Sequence, residues 1–180
     1  FSAGPTNPPL GPELVTNGTF DTNVSGWTAG GGASAVRDTA IFAGGGMLVT
    51  ANGGNSSFAT QTISGLTAGF RYVLSASVYT PSTNATNNRA IIGIQASAFT
   101  SSGSVAQSAL NTIQKISIYF VAAGASQSIY MTVGTSDFAA WGTAGSVGYF
   151  DNISVKEFLD SSLAPDKMTV FAGVTKSAAG

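Results

Sequence analysis

From Phe70 to Phe158 the chain switches again and again between apolar and polar side chains with a period of two. In Phe70 to Tyr79, Tyr72, Leu74, Ala76 and Val78 take one side, and Arg71, Val73, Ser75, Ser77 and Tyr79 the other. In Ala90 to Ala98, Ile92 and Ile94 oppose Ile91, Gly93 and Gln95. Lys115 to Val121 turns Ile116, Ile118 and Phe120 inward and Ser117, Tyr119 and Val121 outward. Ser128 to Val133 sets Ile129, Met131 and Val133 against Tyr130 and Thr132, and Val147 to Phe158 closes the series. Period two is the mark of a half-buried strand.

The earlier chain reads the same way with more punctuation. Asn17-Gly18 and Ser25-Gly26 are turn signals, and Gly30-Gly31-Gly32 and Gly44-Gly45-Gly46 bracket a short strand near Ala35 to Phe42. Met47 to Val49 and Phe58 to Ile63 are further strands, the second closed by Ser64-Gly65-Leu66-Thr67-Ala68-Gly69. Ala106 to Leu110 has room for one helical turn at most. Eight to ten short strands with Gly-rich turns predict an all-β fold, a jelly-roll β-sandwich of two antiparallel sheets. Trp27 belongs to its core.

Both ends behave differently. Phe1 to Pro12 carries Pro5, Pro8, Pro9 and Pro12, which lack a backbone donor, so 1–12 reads as an extended linker and Phe1 as a processing boundary. The sandwich is expected over 13–158. Ala164-Pro165-Asp166 then breaks the pattern before an apolar run from Lys167 to Val174, so 159–180 reads as a linker plus the first strand of a second β domain, or a tail that pairs with a neighbour.

Composition narrows the function. There is no cysteine, so disulfides, Cys-ligated metals and thiol nucleophiles are excluded. There is no histidine, so Ser–His–Asp catalysis is excluded too. Glycoside hydrolysis needs two carboxyls roughly 5 to 10 Å apart; only Asp137, near Trp141, stands where such an acid would be sought, and a lone acid is no mechanism. Charged residues are 8% of the chain and the net charge is -1, with Lys and Arg scattered along the sequence, which argues against nucleic acid as a partner. No apolar run approaches the roughly 20 residues of a membrane-spanning helix, so no membrane insertion is expected. A non-catalytic role follows.

Four phrases in order carry a resemblance: Asn17-Gly18-Thr19-Phe20-Asp21; Gly26-Trp27; Thr62-Ile63-Ser64-Gly65-Leu66-Thr67-Ala68-Gly69-Phe70-Arg71-Tyr72; and Phe150-Asp151-Asn152-Ile153-Ser154-Val155. Over 13–158 the chain resembles the carbohydrate-binding-module jelly rolls of the family 4/9 type. The tail from Ala164 to Val174 is similar to the opening of a lectin-like domain of bacteriophage tail proteins. Together the resemblances imply a glycan-binding module of a phage tail fibre, spike or other virion surface protein, extracellular, attaching to a bacterial surface polysaccharide. The alternatives are a virion decoration or fibre spacer whose aromatics serve subunit packing, and the binding module of a secreted polysaccharide-degrading enzyme. Other virion proteins and further copies of the chain, as a homo-oligomer, are the expected partners.

The resemblance also implies a structural calcium between the first and last strands. The matching positions are Asp21 and Asp151, with main-chain oxygen near Gly18 and Thr19; Asp38 is the nearest candidate for the further acidic ligand that many relatives carry. Calcium takes six to eight hard oxygen ligands, several of which can be carbonyls. Turn capping by Asp21 and backbone bonding by Asp151 remain the alternative. Sugar recognition needs flat apolar rings for the C–H face of a pyranose and planar polar groups for its hydroxyls. The alternation places Tyr79, Tyr119, Tyr130, Arg71 and Gln95 together opposite the core, with Trp141 in a flanking loop.

Overall fold

The structure, a computed structural model, describes residues 9–54, 57–94 and 103–159. Gln95 and the C-terminal run from Asp160 lie outside the described residues. Within them the fold is all-β, with ten strands in two antiparallel five-stranded sheets and no helix. The segment 106–110 that had room for a helical turn is extended and bent.

The first sheet contains β1 (Thr28–Gly30), β4 (Phe58–Ser64), β6 (Asn88–Ile94), β7 (Ser104–Ala106) and β9 (Ser126–Thr135), in the order β1-β4-β9-β6-β7. The second contains β2 (Ser34–Asp38), β3 (Gly46–Thr50), β5 (Arg71–Tyr79), β8 (Gln114–Val121) and β10 (Val147–Glu157), in the order β2-β3-β10-β5-β8. The strand expected over Ala35 to Phe42 stops at Asp38. The Asp38 carboxylate accepts from Ala40 N–H at 2.6 Å, a local bond that turns the chain out of the ladder. Phe42, instead of ending a strand, is buried beneath the turn.

The alternation read from the sequence decides which side chains meet between the sheets. Ile92, Ile129 and Met131 face Met47, Val49, Leu74, Val78, Phe150 and Val155, and Ile116, Ile118 and Phe120 pack on the margin. Full burial of each such aliphatic contributes about 1.5–3 kcal/mol. Trp27 joins this core, its ring 5.8 Å from that of Phe20.

The start of the domain runs beside its last strand, as the sequence implied. Gly11 N–H donates to Glu157 O at 2.9 Å, Leu14 N–H to Val155 O at 3.1 Å, and Ile153 N–H to Gly18 O at 2.9 Å. The Glu13 carboxylate completes the ladder, accepting from Val155 N–H at 2.9 Å and Ser154 Oγ at 2.6 Å. Gln61 ties the same segment to the first sheet: its side-chain oxygen accepts from Thr16 N–H, and its nitrogen donates to the carbonyls of Thr16 and Gly26. β10 carries a bulge between Asp151 and Ser154, with Asn152 at φ 50°. The bulge keeps Phe150 and Ile153 both in the core while Asp151 and Ser154 remain on the outer face.

Candidate functional site

The outer face of the first sheet carries an aromatic cluster. Phe58 starts β4, Tyr130 lies in β9, and Trp141 closes the loop after β9, held by a bridge to Gly134. The Trp141 ring stands 6.3 Å from Phe58 and 6.4 Å from Tyr130, tilted in both pairs. Each β-strand ring covers a glycine on the neighbouring strand. A Cβ on Gly30 would lie 2.6 Å from the Phe58 ring, and one on Gly93 would clash with the hydroxyl end of the Tyr130 ring. The glycines let the rings lie flat along the sheet in place of standing off it.

Tyr130 is buried, with 5% of its surface exposed, and its hydroxyl is hydrogen-bonded to Ser104 Oγ on β7. Burial raises its pKa above the ordinary tyrosine value, and the Ser104 bond opposes part of that rise. Phe58 and Trp141 are half-buried. Thr60 shares the Tyr130 row, and Arg89 lies in the same face beside Gly134, its guanidinium donating to Asn88 O at 3.0 Å. The loop that presents Trp141 is built on short-range bonds. Ala140 N–H donates to Thr135 Oγ1 at 3.0 Å, and Asp137 accepts from Ala139 N–H at 3.1 Å. The Thr135 hydroxyl and then the Ala139 N–H hold the Asp137 carboxyl below its ordinary pKa. That is a turn-forming carboxylate, the opposite of a raised general acid.

The remaining expected sugar contacts lie on the other sheet. Tyr79, Arg71 and Tyr119 face outward from β5 and β8, which belong to the second sheet. The single shared face expected for Tyr79, Tyr119, Tyr130 and Arg71 is therefore corrected to two faces on opposite sides of the sandwich. Alternation tells which residues point away from the core, but a sandwich has two outer surfaces and period two does not say which strand joins which sheet. Tyr79 packs edge-on against Tyr149 at 5.8 Å, and Tyr119 lies 5.3 Å from Phe158 with 66% of its surface exposed. Burial, then Asp38 and Tyr79, raise the Tyr149 pKa. Phe58 and Arg89 were not among the expected contacts. The alternation of Phe58, Thr60 and Thr62 against Ala59 and Ile63 was the signal for the first, and that of Arg89 with Ile91 and Gly93 for the second.

The expected metal positions lie on the N-terminal turn and at the β10 bulge, with Asp21 close enough to Asp151 to act on its charge. Asp151 is buried to 9% exposure; one carboxylate oxygen accepts from Asn152 Nδ2 at 2.8 Å, and the other is buried with no partner. Burial raises its pKa, hydrogen bonding at Asn152 opposes the rise, and the neighbouring Asp21 adds to it. Asp21 accepts from the Thr19 hydroxyl at 2.9 Å, and the Gly18 carbonyl accepts from Ile153 N–H. Arg37 donates to the carbonyls of Phe20 and Gly44 at the edge of this turn. Among the described residues no group of three or more Asp, Glu, His or Cys is assembled that could hold a metal. Two carboxylates with hydroxyl and carbonyl oxygens still suit a hard cation in donor type, and the orphaned Asp151 oxygen is the atom such a cation would satisfy.

The family model described as "Carbohydrate binding domain" matches residues 12–138, and the chain belongs to that family. It is a non-catalytic carbohydrate-binding domain. No curated protein sequence matches it. Among solved structures it is similar to the CBM22-1 xylan-binding domain from Paenibacillus barcinonensis Xyn10C, at 13% identity and a TM-score of 0.58, over 82% of this chain and 96% of that one. The CBM22-1–GH10 modules of Clostridium thermocellum xylanase 10B, solved with xylohexaose, match at 17% identity and a TM-score of 0.57, over 81% of this chain and 28% of that one. The enzymatically active domain of bacteriophage CBA120 tailspike protein 4 matches at 14% identity and a TM-score of 0.56, over 81% of this chain and 21% of that one. At these identities the likeness is one of fold.

Proposed function

We propose that this domain attaches an extracellular particle, a phage tail or virion surface, to a bacterial surface polysaccharide, and that the sugar chain lies across the outer face of the first sheet. The observation that carries this reading is the convergence of Phe58, Tyr130 and Trp141 on that face. The half-exposed Phe58 and Trp141 rings, with buried Tyr130 beneath them, offer the flat apolar surface on which the C–H side of a pyranose stacks. The Arg89 guanidinium and the Thr60 hydroxyl supply planar or rotatable groups for sugar hydroxyls. The fold likeness to a xylan-binding domain and to part of a phage tailspike supports both halves of the reading. Contact across an open face is weak per site, so attachment gains strength from several copies on one particle.

The same reading includes a calcium ion held by Asp21 and Asp151 with oxygen from Thr19 and the Gly18 main chain. When bound it supplies positive charge to two neighbouring carboxylates and cross-links the N-terminal segment to β10.

Binding of the full chain to a panel of bacterial capsular and O-antigen polysaccharides, with xylan and cellulose oligomers alongside, tests the function. Retention on at least one bacterial polysaccharide, lost in Trp141→Ala, is the expected result. Silence across the panel would overturn it.

A further inference from the structure

The basic residues, scattered in sequence, converge in space. Of the described cations, Arg37 is engaged by the Phe20 and Gly44 carbonyls and Arg89 lies on the first sheet. The others, Arg71, Lys115 and Lys156, all face outward from the second sheet on β5, β8 and β10. The ladders fix their arrangement. Lys156, Val73 and Tyr119 form one row across three strands, Ser154, Ser75 and Ser117 the next, and Lys115 follows beside Ser77. A groove runs over these rows, lined by Val73, Ser75, Lys115, Ser117, Tyr119 and Phe158. It continues along the N-terminal segment past Ser154 and Lys156.

Three properties set this face apart from ordinary surface. Tyr119 exposes 66% of its surface, braced from one side by Phe158, so a large ring is presented to solvent in a fixed orientation. Beside that ring the lining adds the exposed Ser117 hydroxyl and, deeper, Ser75, next to apolar Leu10 and Val73. The charge is positive although the chain as a whole carries -1. Glu13 is the acid that lines the groove, and its carboxylate is already engaged by Leu14 N–H, Val15 N–H, Val155 N–H and Ser154 Oγ, with Lys156 Nζ 3.9 Å away. Asp151 shares the Lys115 row across two strands but is buried. The side chains of Lys115 and Arg71 make no hydrogen bond or ion pair among the described residues.

We propose that this face is a second, separate binding surface, and that its ligand is a carboxylated oligosaccharide, a chain of uronic-acid units. The stacking ring and the serine hydroxyls suit a pyranose, and the cations suit its carboxylates. Strand spacing puts Lys156 about 10 Å and Lys115 about 14 Å from Tyr119 at the backbone. One carboxylate cannot bridge that span, so the ligand that satisfies both carries charge on successive units. Three cations are too few for the extended phosphate neutralisation that drives nucleic-acid binding. The surface is independent of the Trp141 face, on the opposite side of the sandwich.

Calorimetric titration of the full chain with an oligogalacturonate tests the assignment, with a neutral xylo-oligosaccharide and a single-stranded oligonucleotide of similar charge as comparisons. The expected result is binding of the oligogalacturonate that weakens with added salt and falls about tenfold or more in Lys115→Glu and in Tyr119→Ala. Lys115→Arg should retain it, and Trp141→Ala should leave it unchanged. The proposal is overturned if the oligogalacturonate does not bind, if Trp141→Ala removes the binding while Lys115→Glu does not, or if the oligonucleotide binds as tightly and Tyr119→Ala has no effect. It is also overturned if Tyr119→Ala converts a dimer to a monomer in sedimentation, because the face would then be covered by a second copy. Loss of neutral-glycan binding at the Trp141 face would leave every one of these readouts standing.

Discussion

The Tyr130 ring lies over Gly93, its partner across the β9–β6 ladder, and reaches past that strand to hydrogen-bond Ser104 on β7. One side chain therefore spans three strands, and it does so only because Gly93 has no Cβ. Gly93→Ala should lift the ring, break the Ser104 bond and destabilise the domain by about 1–3 kcal/mol, the usual cost of overpacking. Urea unfolding reads the loss as a lower midpoint at unchanged slope. A wild-type midpoint would mean that the ring has another comfortable seat.

Trp141 makes its contacts at a loop end, against Phe58 and Tyr130, outside the main core. Trp141→Ala should therefore cost about 1–3 kcal/mol for two tilted aromatic pairs, while removing most glycan binding at that face. Thermal unfolding and polysaccharide retention, measured on the same sample, separate the two effects. Equal loss of both would make Trp141 a structural residue.

Much of this was legible in the sequence, and the limits have physical causes. Alternation identified the core-facing positions of β5, β6, β8 and β9, because a strand with one buried face must repeat every second residue; in β10 the bulge turns Phe150 and Ile153, three residues apart, both inward, which a strict period of two does not give. The turn phrases around Asn17 and Asp151 announced that the chain's beginning meets its last strand, and the backbone bonds from Gly11 to Gly18 show that meeting. What alternation does not encode is sheet membership. Tyr119 and Tyr130 are both outward residues in consecutive strands, β8 and β9, yet the chain crosses from one sheet to the other between them. The strands β1 and β7 were also illegible, since three residues at a sheet edge carry too short a pattern to register.

Calcium should stabilise the wild-type chain. An ion that binds only the folded state at a hundredfold excess over its Kd adds about 2.7 kcal/mol, so the unfolding midpoint should rise by several degrees and fall again on chelation. Asp151→Asn should abolish that response. Without metal the variant should be at least as stable as wild type, because it removes the charge of a carboxylate whose ionised form burial and the neighbouring Asp21 disfavour. No change in melting temperature between calcium and chelator would remove the ion from the account.

At alkaline pH the buried Tyr130 phenol should become a liability. Its folded pKa is raised, chiefly by burial. The unfolded chain therefore releases the proton first, at about pH 10. Its contribution is complete below that pH and is lost as the pH climbs from there through the folded value. Tyr130→Phe should flatten this decline, at a cost of about 1 kcal/mol at neutral pH from the lost Ser104 bond. Tyr149, also raised, leaves a residual slope. Equilibrium unfolding at a series of pH values, followed with phenolate absorbance, checks both. Parallel stability curves for the variant and wild type would contradict the burial argument.

Gln61 bonds the N-terminal segment to the first sheet at both the N–H and the C=O of a single residue, Thr16. It is 8% exposed, so water does not readily replace it. Gln61→Leu keeps the volume and the burial but leaves those two backbone groups, and the Gly26 carbonyl, short of a partner. An unsatisfied buried polar group costs about 1–3 kcal/mol, and part of that cost can be avoided by letting the segment detach locally. The variant should therefore show faster amide exchange at Thr16, Gly18 and Ile153 than in the strands of the core, and a smaller calcium shift, because Asp21 rides on the same segment. Hydrogen exchange resolved by residue distinguishes this from uniform weakening. Exchange rising equally in β5 and β9 would show that Gln61 supports the whole sandwich and not the seam between its first and last segments.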